Sequence, residues 1–300
     1  MRLHTFGCSF TKYSWSTWAD ILGKEFEIYT NYGRTGAGNT YIFNHVMQAV
    51  AEEKISSADT VIIMWSTIPR EDRYIKNSWN TPGNIYNQEF YEEGFMKYVD
   101  PEHFLIRDLA HIAAVYHVLE NVKCKFIFLS MMPVSHIKEY LNQNFLDKFF
   151  KKHLTDTFIN KYKKYINFIR PSMFEVVYYN NWYSRSNELH KEPRWYDFVK
   201  GADWPTPEQW ESRDFKLSTE IEEEICRFLQ ANHINEILKF KMWQKIDHHP
   251  TPKLHLEYID SVLPEFKISE TTRRLVNEEQ TRILVHGAVD THLSKSTNRA

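Results

Sequence analysis

Residues 60–65 read Thr60-Val61-Ile62-Ile63-Met64-Trp65, a short apolar run with β-branched residues at its centre. A strand that is apolar on both faces, instead of alternating, suits a parallel sheet covered by helices on both sides. A second such run, KFIFLSMM over 125–132, lies downstream. Between them, residues 103–120 show helical spacing through Leu105, Leu109, Ile112, Val115, Tyr116 and Leu119. Upstream, residues 1–7 and 25–30 (EFEIYT) are shorter strand candidates. Residues 40–53 form a helix with Ile42, Phe43, Val46, Met47 and Val50 on one side. FEVVYY at 174–179 reads as a fifth strand. This alternation predicts an α/β fold: a three-layer α/β/α sandwich around a mostly parallel five-stranded sheet.

The rest of the chain is read as additions to that frame. Residues 66–100 are polar and aromatic without a period, and are expected to form a long loop or insertion. Residues 135–168 look helical, 180–215 are rich in Trp, Pro and Asn, and 218–239 read as a helix. Thr251 and Pro252 have the residue types of an N-cap and first helical position, opening a last helix. The expected organisation is one domain over 1–266, with insertions at about 66–100 and 133–215, and a polar C-terminal extension over 267–300.

Composition narrows the function classes. A net charge of −2 over 300 residues lacks the basic excess of a chain that wraps nucleic acid. Three cysteines, Cys8, Cys124 and Cys226, lie far apart and form neither a disulfide framework nor a CxxC zinc pair. No apolar run has the length of a membrane span, and residues 1–11 lack the apolar core of a signal peptide. The expectation is a cytoplasmic chain that meets neither nucleic acid nor membrane. The oligomeric state is not legible.

Three segments carry the residue types of a chemical site. The first is Phe6-Gly7-Cys8-Ser9-Phe10-Thr11, which places Ser9 just past the end of the first strand. In an open α/β sheet, ligands bind beyond the carboxyl ends of the strands, near the point where strand order reverses. The second is NYGRTGAGNT over 31–40, where glycines between a strand and a helix bring backbone close to something or adopt positive φ. Gly33, Gly38, Asn39 and Thr40 approach a P-loop in spacing, but Asn39 stands where the phosphate-binding lysine is needed, which argues against an NTPase. The other readings are an oxyanion hole, with backbone N–H groups at Gly36 or Gly38 and the Asn39 amide aimed at a developing negative oxygen, or a tight turn capped by Asn39. The third is Asp247-His248-His249-Pro250. In extended chain, residues two apart face one side, so Asp247 can orient His249. His248, His249 and His255 raise a metal reading, but no fourth ligand is evident. No metal and no cofactor are expected.

A strand-end serine, a Gly/Asn turn after the second strand and a late Asp-x-His together resemble the SGNH/GDSL hydrolase superfamily. Its nucleophile block appears here as Gly7-Cys8-Ser9, its glycine block as Asn31 to Gly36, and its last block as Asp247 to Pro250. The style of the blocks looks like a divergent branch common in phage and environmental sequences. The resemblance implies a flavodoxin-like sheet and an esterase with Ser9 as nucleophile, His249 as base and Asp247 as orienting acid. It implies an oxyanion hole made by Ser9, Gly36 and Asn39, with Ser66 as a substitute donor. Three positions depart from the family pattern. The Asn expected after the third strand is replaced by Met64-Trp65-Ser66-Thr67, the last block is one residue short, and Cys8 stands for an Asp. Trp65, Ser66, Arg70 and Arg73, with Trp182 and Trp204, are expected to shape a pocket for an ester, with an O-acetylated glycan as the favoured substrate. Other readings are a lapsed SGNH fold serving as a glycan-binding or virion-associated module, and an O-acyltransferase.

Overall fold

The computed structural model describes residues 2–68, 70–83, 85, 101–132, 134, 152–179 and 249–286. The excursion at 180–215 and the helix read over 218–239 lie outside the described residues. The chain divides into two compact units, Met1–Val177 with Pro250–Glu279, and Tyr178–His249 with Gln280–Ala300. The described elements belong mainly to the first.

Four strands, β1 (Arg2–Phe6), β2 (Ile28–Asn31), β3 (Thr60–Trp65) and β6 (Lys125–Ser130), form one parallel sheet in the order β2-β1-β3-β6. Leu3 pairs with Tyr29 on one side and Thr60 on the other, and Trp65 pairs with Ser130. Every residue of β3 is buried, as its unbroken apolar run requires, while edge strand β2 is mostly half-exposed. Helices α1 (Trp18–Gly23), α2 (Asn39–Ala51) and α3 (Pro101–Val122) connect the strands. The chain steps one way from β1 to β2, then the other way to β3 and β6. Right-handed crossovers therefore put α1 on one face and α2 and α3 on the other. Packing agrees: α2 lies against α3, and α1 against α6 (Pro252–Val262). The sheet thus reverses direction between β1 and β3, and the carboxyl ends of those two strands form its switch point.

FEVVYY is not a strand. Phe174–Tyr179 forms a π-helical segment, entered through a capping box. The Ser172 N–H donates to Glu175 at 2.7 Å, and the Glu175 N–H donates to Ser172 Oγ at 3.1 Å. The place beside β6 is instead touched by Ile169, which makes a single parallel bridge to Phe128. The described sheet therefore has four strands where five were expected. Short helices α4 (Lys152–Lys161) and α5 (Lys163–Ile166) precede this segment.

Within the expected insertion, β4 (Arg73–Ile75) and β5 (Ser78–Asn80) form a hairpin. Its two-residue turn, Lys76-Asn77, has positive φ at both positions, as a turn matching strand twist requires. Helix α6 opens as its residue types suggest, with Thr251 as N-cap and Pro252 at the first helical position. Helix α7 (Glu270–His286) follows, with Thr272, Val276 and Gln280 buried. Among the described residues no helix is long and apolar enough to cross a membrane.

Candidate active site

Ser9 sits on the turn that leaves β1 at the switch point. Cys8 O accepts from the N–H groups of Thr11 and Lys12 at 2.9 and 3.1 Å, which closes the turn. Thr11 O accepts from Thr17 Oγ1 at 2.6 Å and from Asn31 Nδ2 at 2.8 Å, which ties the turn to α1 and the end of β2. Gly7 has no alternative here: a Cβ on it would overlap the Thr11 side chain and lie 3.1 Å from Met64 O on β3. Ser9 is buried, at 3% exposure. Neither its hydroxyl nor its backbone N–H has a partner among the described residues.

The glycine stretch forms the neighbouring loop. The Arg34 N–H donates to Gly7 O at 3.1 Å, so loop and turn are held together. Gly36 has φ +76 and lies against the Thr81 carbonyl, where no side chain fits. Its N–H also finds no acceptor among the described residues. The hairpin braces this loop: the Arg34 guanidinium donates to Trp79 O at 2.6 Å, and the Thr81 hydroxyl donates to Thr35 O at 2.9 Å.

The loop ends at α2, whose N-cap is Gly38 and not Asn39. The cap function comes from the distant Asp72, whose carboxylate accepts from the Gly38 N–H and the Tyr41 N–H, each at 2.8 Å. Burial raises the Asp72 carboxyl above the ordinary range, opposed by these two N–H groups. A helix N-terminus attracts an anion, and here the protein fills that place with its own carboxylate. The absence of a P-loop lysine and the presence of Asp72 thus speak against nucleotide phosphate for the same physical reason.

Asn39 was expected to aim its amide at an oxyanion. Its Nδ2 instead donates to Asp108 Oδ2 at 2.7 Å and to Ser66 O at 3.2 Å, and its Oδ1 accepts the Ser66 N–H at 2.7 Å. Asp108, on α3, takes its remaining bond from Arg107, also at 2.7 Å. Burial pushes the Asp108 carboxyl up to about 7 against the pull of Arg107 and Asn39. Ser66, at the carboxyl end of β3, is 2% exposed, and its buried Oγ has no hydrogen-bond partner among the described residues.

The remaining expected residues scatter. Trp65 has no exposed surface and packs edge-on against Phe128, 5.5 Å between centroids, so its ring belongs to the core and not to a pocket wall. Arg70 bonds Ala37 O at 2.9 Å and Thr67 Oγ1 at 3.0 Å, which places it against the glycine loop. Arg73 is exposed on β4 beside Glu71. Cys8 is fully buried, its Sγ 3.8 Å from Met131 Sδ. His255 is buried on α6. His249 is half-buried and belongs to the second unit, whereas Ser9 belongs to the first. Its neighbour Pro250 is anchored by the Trp15 indole N–H, 2.8 Å from Pro250 O. Asp247, Trp182 and Trp204 lie outside the described residues.

The sequence reading missed Asp72 and Asp108. Asp108 carries a signal, because it falls on the apolar face defined by Leu105, Leu109 and Ile112, where a carboxylate needs a partner. Asp72 carries none, since nothing in the loop sequence shows which helix end it reaches.

No protein-family model matches the chain, and no curated protein matches it. Solved structures do. A member of the lipolytic G-D-S-L family from Veillonella parvula matches at 12% identity and TM-score 0.34, over 63% of this chain and 83% of that one. A GDSL-like lipase from Bacteroides thetaiotaomicron matches at 15% identity and TM-score 0.31, over 57% and 67%. A catalytic mutant of an acetylxylan esterase from Geobacillus stearothermophilus matches at 10% identity and TM-score 0.30, over 54% and 73%. The similarity to these lipases and esterases is distant.

Proposed function

We propose that the chain is a serine esterase in which Ser9 attacks an ester carbonyl and His249 accepts its proton. The observation that carries this reading is the state of Ser9. At the switch point of a parallel sheet, its hydroxyl and N–H are both unclaimed among the described residues, as is the N–H of Gly36. A buried backbone N–H without an acceptor is uncommon. The Ser9 N–H and the N–H of the half-buried Gly36, on segments held together by the Arg34 to Gly7 bond, suit the negative oxygen of a tetrahedral intermediate.

Because the Asn39 amide is engaged elsewhere, the third donor in this reading is the hydroxyl of Ser66, which has no partner among the described residues. Attack gives an acyl-Ser9 ester, and His249 returns the proton to the leaving alcohol. Water then attacks the acyl group as the same base accepts its proton, and the acyl–Ser9 bond breaks to release the acid as the base returns that proton to Ser9. Asp247 orients the imidazole. Arg70 and Arg73 contribute to the substrate surface, and an O-acetylated glycan is the favoured ester. A sugar alcohol in place of water would make the same site an acyltransferase.

The test is acetate release. Wild type is expected to release acetate from 4-nitrophenyl acetate and from acetylated xylan, and Ser9→Ala to lose at least about 10³-fold on both. Acetylated product appearing on an added sugar acceptor would identify transfer. A folded wild type with no activity above Ser9→Ala on either ester contradicts the proposal.

A further inference from the structure

Asn39 joins two segments that carry proposed oxyanion donors. It is the first residue of α2, directly after the glycine loop that presents the Gly36 N–H. Its side chain grips both the N–H and the carbonyl of Ser66, at 2.7 and 3.2 Å. A primary amide can donate two bonds and accept one or more, and among the described residues every partner of that amide lies at the end of β3 or on Asp108. Asp108 in turn fixes which way round the amide sits. Ion-paired with Arg107, Asp108 presents Oδ2 as an acceptor to the Nδ2 end at 2.7 Å, and Oδ1 of the amide is left for the Ser66 N–H. Arg107 saturates the other carboxylate oxygen and also donates to Arg70 O at 2.9 Å, in the segment that leads to Asp72. Asp108 and Asn39 are each 1% exposed, so water offers no replacement for these bonds.

We propose that Asp108 is a positioning residue for the oxyanion hole, setting the separation of the glycine loop and the end of β3 through Asn39. The inference rests on the esterase reading above. Asp108 touches no reacting atom. It acts by keeping Asn39 oriented, which places Ser66 relative to Gly36. Hydrogen-bond donors in such a site act only when held at the geometry of the transition state, so a small shift appears in kcat before it appears in binding.

The chemistry offers a reciprocal test. In Asp108→Asn, Arg107 and the Asn39 amide both require an acceptor from a side chain that offers one. In Asn39→Asp, two carboxylates face each other. Exchanging the pair, Asn39→Asp with Asp108→Asn, restores an acceptor for Arg107, a donor between the two helices and an acceptor for the Ser66 N–H. Each single variant is expected to lower kcat on 4-nitrophenyl acetate by about tenfold or more, measured per folded molecule, with KM within about twofold. The exchanged pair is expected to regain most of that loss, a coupling that independent sites do not show.

Wild-type kcat in folded Asp108→Asn overturns the proposal, as does an exchanged pair no better than the singles. So does a loss confined to KM or to the folded fraction. If Asp108→Asn does not fold, Arg107→Gln is read in its place: reduced kcat at unchanged KM supports the proposal, and wild-type kcat contradicts it. A wild type without Ser9-dependent turnover removes the esterase reading itself. Intact Ser9-dependent turnover with insensitive Asp108 removes only this inference.

Discussion

Alanine at His249 is expected to lower kcat for an activated ester by roughly 10⁴-fold or more, with the fold retained. The size follows from the role. A serine hydroxyl is a poor nucleophile until a base takes its proton, and loss of the base costs about as much as loss of the nucleophile. Retention of the fold follows from position. His249 is only half-buried. The helix after it is secured independently by Thr251 as N-cap, by Pro252 and by the buried side chains Leu256, Tyr258 and Ile259. The measurement is kcat together with far-UV circular dichroism and the thermal midpoint. A folded variant with more than about a tenth of wild-type activity would remove His249 as the base and leave Ser9 without one.

Alanine at Gly36 is the second large effect, and it acts on both stability and rate. Positive φ costs an L-residue of order 1–3 kcal/mol. The added methyl would also meet the backbone carbonyl of Thr81, which cannot swing away as a side chain can. Relief requires moving the hairpin, and with it the Thr81 bond to Thr35 and the Arg34 bond to Trp79. The Gly36 N–H would shift too, so kcat is expected to fall about 10²-fold, the usual cost of one oxyanion donor. Gly83→Ala is the control. Gly83 has φ +91, but open space where a Cβ would go. It shares the backbone strain without the collision, and should lose stability with little change in kcat. Equal kcat losses in the two variants would show that strain alone explains the effect.

Much of the frame was legible because burial in a parallel sheet leaves a compositional mark. The apolar runs of β3 and β6 and the helical spacing of α2 and α3 lie where the sequence puts them, within a few residues at the ends. FEVVYY failed because a short run of β-branched and aromatic residues suits a strand and a buried helical turn equally well. The deciding signal was Ser172 and Glu175 ahead of it, a capping pair that marks a helix start. Helix α1 was not anticipated, though Thr17 and Asp20 stand at the same spacing, with the Thr17 N–H donating to Asp20 at 3.1 Å.

For the site, chain order located Ser9, Gly36 and Ser66 at one end of the sheet. It could not say what each polar group bonds. Asn39 has the residue type of an oxyanion donor, and only its bonds to Asp108 and Ser66 reveal a bracket. Trp65 has the residue type of a pocket aromatic, but its ring turns into the core against Phe128. Long-range partners decide such cases, and single-sequence spacing does not encode them.

Covalent labelling measures directly whether Ser9 is an activated nucleophile. Wild-type protein treated with a fluorophosphonate should gain one phosphonyl group, mapped by peptide mass spectrometry to the segment containing Ser9. Ser9→Ala and His249→Ala should gain none under the same conditions. A folded wild type that remains unlabelled, or a label mapped to Cys8 or elsewhere, would contradict the account.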